Sequence, residues 1–160
     1  MINKGFHTVR GYQLMEQDHR LLTSAMEDYL EMIYRNSLQE GSIRINKIAA
    51  LLNVKTPSAS KMVQKLEELG MLKYERYGIV TLTDKGRKMG EALLERHKVI
   101  ETLLKLIGCS EDVLSQTELI EHNINNSTLE NIKILINFFE NNQDIKDLYI
   151  KYRRSLINKK

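Results

Sequence analysis

The chain has no Trp, one Pro (Pro57) and one Cys (Cys109). A single cysteine closes no disulfide within the chain, and it excludes both a Cys-x-x-Cys pair and a Cys/His finger. A solitary thiol fits a reducing compartment, so a cytoplasmic location is expected. With one proline and only eight glycines, the chain has few breakers, and long uninterrupted elements are expected. Long apolar runs are lacking too. No window reaches the roughly 20 residues of a membrane span, and the opening MINKGFHTVRGYQLMEQDHR has no apolar stretch of the kind a secretory signal carries. Neither a membrane segment nor a signal peptide is expected, and there is no internal repeat or low-complexity tract.

What is present is ordinary in amount and uneven in placement. At 160 residues, 42% hydrophobic and 28% charged, the chain can bury one good core or a small domain with a helical appendage. The net charge is +3. Residues 42–90 hold ten basic side chains against four acidic ones, whereas residues 91–160 hold ten against eleven. A basic block followed by a near-neutral one points to a polyanion-binding module joined to a second part, although a basic solvated face gives the same excess.

Residues 1–20 are polar and aperiodic, and a flexible arm is expected there. Ser24-Ala-Met-Glu27 reads as a capping box that opens a helix with Met26, Tyr29, Leu30, Ile33 and Tyr34 at helical spacing. Ile45, Ile48, Ala49 and Leu52 mark a short second helix, and a tight break follows at Asn53-Val54-Lys55. Thr56 can cap a third helix with Pro57 at its first position, and Gly70 closes it. MLKYERYGIVTLT predicts two short strands around a turn near Tyr77-Gly78. Thr83 caps a long helix that Gly108 stops. Further helices are expected from Ser110 to about Asn123, from a capping box at Ser127–Glu130 to about Glu140, and from Asp144 to about Ser155.

Helix, tight turn, helix and β-hairpin, in that order, make a winged helix-turn-helix. Its second helix has to enter a major groove, so the exposed positions of that helix must be small or polar. Thr56, Pro57, Ser58, Ser60, Lys61, Gln64 and Lys65 occupy them, while Met62, Val63 and Leu66 can face inward. Gln64 can pair with adenine, the hydroxyls read base edges permissively, and Lys61 and Lys65 suit phosphates. Tyr74, Arg76 and Tyr77 lie on the hairpin, where a wing touches the backbone or minor groove. The same fold serves protein contacts elsewhere, but the basic excess is concentrated in this segment.

Three polar clusters remain. Asp28 and Glu31 share one face of the first helix. Glu118, Glu121 and His122 share one sector of a later helix. His97 points along the apolar stripe of the long helix, where an imidazole needs a partner. Each has a structural explanation: acids favoured by a helix N-terminus, a solvated helix face, and a hydrogen-bonded core histidine.

MEDYLEMIY, TPSASKMVQKLEELGMLKYERYGIVTLTDKG, the Arg-His pair at 96–97 and ELIEH at 118–122 together resemble the diphtheria toxin repressor and manganese transport regulator family (DtxR/MntR) over about residues 23–150. The resemblance implies a mainly α protein: a winged helix-turn-helix domain over 21–90, three helices and a two-stranded wing, followed by an all-helical metal-binding and dimerisation domain over 91–160. It implies a homodimeric repressor of metal-uptake genes bound to double-stranded DNA at an inverted repeat, with no catalytic residues and no small-molecule substrate. Carried over position by position, the implied metal ligands are Asp28, Glu31, His97, Glu118, Glu121 and His122. In the manganese branch they hold a two-metal site that shares the equivalents of Glu118 and Glu121.

Iron-sensing relatives carry Met and Cys where this chain has Asp28 and Glu118. Carboxylates with two imidazoles favour Mn²⁺, with Fe²⁺ as the runner-up. With the sequence ending at Lys160, no SH3-like third domain like that of the iron regulators is expected, and the arm before Leu21 is longer than the manganese branch usually has. Two other readings use the same residues: a two-metal hydrolase, for which no spare base is evident, and a winged-helix regulator indifferent to metal. A set of ligands spread before and after the reading head implies that metal fixes the head's orientation. A coupling of roughly 1–3 kcal/mol is the usual size of such effects. The apolar faces of the later helices, with Leu119, Ile120, Ile124, Leu129, Ile132, Leu135 and Ile136, suit either a dimer interface or an intramolecular core.

Overall fold

Thr23 starts the first helix, α1 (Ser24–Glu40): its side chain accepts from the Met26 N–H at 3.3 Å. The predicted cap, Ser24, is already helical, because the extended backbone that capping needs falls one residue earlier. This computed structural model describes residues 22–157, so the arm expected over residues 1–20 lies outside the described residues. Gly41, in the left-handed region at φ 70°, ends α1 by returning its N–H to the Ser37 carbonyl.

A two-residue strand β1 (Ile43–Arg44) leads into α2 (Ile45–Leu51), and Asn53 at φ 51° makes the tight break before α3 (Thr56–Glu68). Pro57 sits in the first turn of α3 as expected, but the N-cap is Lys55, which caps with no side-chain bond. Thr56 is inside the helix, and its hydroxyl lies 3.5 Å from Asn46 Oδ1. Strands β2 (Leu72–Glu75) and β3 (Ile79–Leu82) pair antiparallel around the turn Arg76–Gly78, with Tyr74 opposite Val80. The wing is not two-stranded: β1 pairs with the other edge of β3, Ile43 opposite Val80, giving the order β1-β3-β2. Two residues are too few to show a period, which is why alternation along the sequence could not reveal β1.

The long helix α4 (Asp84–Ile107) follows. The described chain divides into two compact units between Leu93 and Leu94, so the division falls within α4. In the first unit α1 packs against α2, α3, β1 and β3, burying Leu30, Ile33, Ile48, Val63, Leu66 and Val80. Thr83 caps α4 as expected. Its Oγ1 accepts the Gly86 N–H at 3.0 Å and donates to the Gly70 carbonyl at 2.8 Å, tying the helix start to the end of α3.

In the second unit, Gly108 (φ 93°) ends α4. The next helix, α5 (Val113–Glu121), begins three residues later than predicted at Ser110, after Asp112 in the left-handed region with no side-chain cap. Helix α6 (Asn126–Asn141) is capped by Asn125, whose side chain accepts from Thr128 N–H at 2.8 Å. Ser127, the predicted cap, is within the helix. Helix α7 (Gln143–Ile157) closes the described chain. Ile100, Leu104 and Leu129 form the centre of this unit, covered by Val99, Cys109, Val113, Ile124 and Ile132. Helix α7 buries no residue fully. It is tied to α4 by the Tyr149 hydroxyl, which donates to the Ile107 carbonyl at 3.2 Å, and by Arg153, which donates to the Gly108 carbonyl. Among the described residues no helix is long and apolar enough to cross a membrane.

Candidate metal centre and nucleic-acid interface

In the second unit, α4 and the end of α5 bring three donors together. His97 comes from the inward stripe of α4, one turn before Ile100. Glu121 is the last residue of α5, and His122 is its C-cap. The Glu121 carboxylate is 1% exposed and His97 6%. His97 Nδ1 lies 3.1 Å from Glu121 Oε2, and His122 Nε2 lies 3.9 Å from Glu121 Oε1. Each carboxylate oxygen therefore faces a different imidazole. A buried carboxylate is costly unless it meets positive charge, and these two rings supply such charge only by taking up protons or by sharing a cation with it. Two imidazoles converging on a carboxylate are a donor set that a first-row divalent ion accepts, so the residues present fit a metal. Arg96 Nη2 approaches His122 Nδ1 at 3.4 Å.

Glu118, one turn before Glu121 on α5, is exposed and stands outside this cluster. The predicted sector is thus split: at i and i+3 the two acids straddle the line between solvent and interior.

In the first unit, Asp28 and Glu31 lie on α1 at i, i+3, and Glu31 is buried. Arg35, one turn on, pairs with Glu31 at 2.5 Å (Nη2 to Oε1). Burial pushes the phenol of Tyr29, beside Asp28 in the chain, above its ordinary value, so it stays neutral. Arg35 and Arg96 are not among the sequence-predicted ligands, although Arg96 belongs to the Arg-His pair of the family resemblance. The Glu-to-Arg i, i+4 spacing signals the first of them, whereas nothing local signals the contact of Arg96 with a residue 26 positions away.

The reading helix α3 buries Ala59, Val63 and Leu66. Pro57, Ser58, Lys61, Gln64 and Lys65 are exposed, and Thr56 and Ser60 are half-buried. Met62, predicted inward, is half-buried, whereas Ala59 is fully buried. The Ser60 hydroxyl lies 3.3 Å from the Tyr74 hydroxyl, joining α3 to the wing. At the wing tip Tyr77 is 90% exposed and takes φ 65°, a conformation that bulky side chains seldom adopt. A large ring held out into solvent on a strained backbone suits contact with something outside the chain.

On the second unit, Leu129 and Ile136 turn into the core, whereas Leu119, Ile120, Leu135, Ile134 and Phe138 are exposed. The apolar positions left open by the sequence therefore divide into buried and exposed ones.

Two family profiles match the chain. "Iron dependent repressor, N-terminal DNA binding domain" covers residues 21–80, and "Iron dependent repressor, metal binding and dimerisation domain" covers residues 83–147. The HTH-type transcriptional regulator MntR of Lysinibacillus sphaericus (strain C3-41) is 40% identical over 77% of this chain and 89% of its own length. That of Bacillus subtilis (strain 168) is 37% identical over 82% of this chain and 96% of its own. Among solved structures, the manganese regulator SloR is 28% identical with a TM-score of 0.62, over 71% of this chain. The chain spans about half the length of SloR, 54%.

Proposed function

Because the chain belongs to the iron-dependent repressor family, we propose that it is a Mn²⁺-dependent transcriptional repressor of metal-uptake genes. Its DNA-reading domain spans residues 21–90 and its metal-binding and dimerisation domain residues 91–160. The observation that carries this reading is the buried Glu121 carboxylate with one imidazole at each oxygen. Its wider support is the naming of relatives as MntR regulators and of a structural neighbour as a manganese regulator.

The proposed ligands are Asp28 and Glu31 from α1, His97 from α4, and Glu118, Glu121 and His122 from α5 and its cap. Bound Mn²⁺ supplies positive charge to a set of carboxylates that otherwise repel one another. His97 and Glu121 hold each other in place inside the second unit, so their donor atoms need little rearrangement. Asp28 and Glu31 belong to the helix that packs on the reading head, and their engagement with the second unit fixes the head in the DNA-ready arrangement. Thr56, Pro57, Ser58, Ser60, Lys61, Gln64 and Lys65 meet the major groove, and Tyr77 meets the backbone beside it. The exposed Leu119, Ile120, Ile134, Leu135 and Phe138 supply apolar surface for a two-fold dimer, which makes the operator an inverted repeat. The role is binding, with no turnover.

Fluorescence anisotropy on a palindromic operator, with Mn²⁺, Fe²⁺, Zn²⁺ or EDTA, tests this. DNA affinity is expected to rise about 5- to 150-fold with Mn²⁺ over EDTA. Equal affinity with and without chelator rejects metal control, and a response to Fe²⁺ at lower concentrations than Mn²⁺ transfers the effector to iron. Lys61→Ala is expected to weaken all DNA sequences alike and to lower the slope of log K against log [salt] by about one. An unchanged slope removes Lys61 from the phosphate contacts.

A further inference from the structure

Glu31 is buried on α1, and one turn further on Arg35 pairs with it at 2.5 Å. Glu before Arg at i, i+4 is the favoured order on a helix. The side chain of Arg35 is 35% exposed, against 10% for Glu31, and Glu31 is its one polar partner among the described residues. Arg35 Nε is buried with no hydrogen-bond partner. Among the described residues the guanidinium is thus held at one end by a single carboxylate, with no second acceptor there to fix it, and part of it already reaches solvent.

We propose that Arg35 sets the metal threshold of this protein: its guanidinium occupies the Glu31 carboxylate in the metal-free chain, and a divalent cation has to displace it. The proposal rests on Glu31 being a metal ligand, as in the function proposed above. A guanidinium and a divalent ion are both drawn to the same buried carboxylate, and charge-assisted pairs of this kind are the strong ones. Metal binding therefore has to overcome the ion pair that stabilises the metal-free state. The released side chain can turn outward without opening the core, because a third of it is already outside.

The test is a Mn²⁺ titration of the full chain, with free ion counted by its electron paramagnetic resonance signal, for wild type, Arg35→Met, Arg35→Gln and Glu31→Gln. Both Arg35 variants are expected to bind Mn²⁺ about fivefold or more tightly than wild type. Without metal they are expected to unfold at lower temperature than wild type, and to converge with it at saturating Mn²⁺. Two variants guard against one failing to fold, which circular dichroism reports. Equal or weaker Mn²⁺ binding by whichever variant folds overturns the proposal, since a residue that merely steadies Glu31 for the metal gives that result. If wild type takes up Mn²⁺ and Glu31→Gln takes it up equally well, Glu31 is no ligand, and both this proposal and that part of the function fall. A wild type that takes up no Mn²⁺ overturns both outright.

Discussion

Glu121→Gln is expected to leave DNA affinity at its EDTA level at every Mn²⁺ concentration, with affinity for Mn²⁺ itself reduced about 100-fold or more. Glutamine keeps the shape and the burial but removes the charge that both imidazoles face, and it replaces one carboxylate oxygen by an N–H₂ that cannot bind a cation. No part of this loss comes from misfolding if the urea midpoint of the metal-free variant stays near that of wild type. Calorimetric titration with Mn²⁺ checks the first quantity and operator anisotropy the second. His97→Ala is expected to give the same operator phenotype, and the double variant to be no worse than either single one, because the pair acts as a unit. Retention of the full Mn²⁺ response by Glu121→Gln removes the residue on which the proposed function chiefly stands.

The largest loss of stability is expected at Gly86. A Cβ there falls 1.7 Å from the Met71 carbonyl oxygen and 2.7 Å from its carbon, and both are backbone atoms that no rotamer change can move. That carbonyl also accepts from the Thr83 N–H at 3.1 Å, so moving it breaks the joint between α3 and α4. Gly86→Ala is expected to cost about 3 kcal/mol or more, even though alanine is the better helix former by about 1 kcal/mol. At Gly90 the added carbon meets Tyr34 Cβ at 2.5 Å. That contact is with the root of a side chain on a neighbouring helix, and the expected loss is about 2 kcal/mol. Urea denaturation followed by circular dichroism measures both. A loss below about 1 kcal/mol at Gly86 means that the first turn of α4 can slide away from Met71 at little cost.

The long elements were readable because their apolar residues recur at helical spacing. Leu30, Ile33 and Tyr34 in α1 and Leu93, Ile100 and Leu104 in α4 are buried as that spacing requires. Helix starts were read less well for a shared reason. Thr23 stands next to Ser24, and Asn125 next to Asn126 and Ser127, so several good caps compete within a few positions. Backbone extension, which the sequence does not display, decides among them. Strand β1 exists only because β3 offers it an edge 37 residues away in the chain, Ile43 to Val80. The face of α3 was legible because a groove-reading helix must be polar on one side and apolar on the other.

The metal centre was less legible. The side chains of His97 and Glu121 are 24 residues apart, and no spacing rule links them. Resemblance to a family supplied the candidate ligands, while the ordinary explanations of each cluster remained open. What geometry adds inside the second unit is the approach of His97, Glu121 and His122. Glu118 shares a helical sector with Glu121 in the sequence, and in the fold it is exposed where Glu121 is buried.

Helix α7 carries a further consequence. It turns Ile145, Leu148, Tyr152 and Leu156 outward and is fastened to the rest of its unit through Tyr149 and Arg153. An element anchored by two polar clasps and little apolar area is the first to open when a domain breathes. Covering that oily strip with a second subunit would hold the clasps shut. The protomer's tail would then be most ordered where the protein is most concentrated, and dilution alone would loosen it.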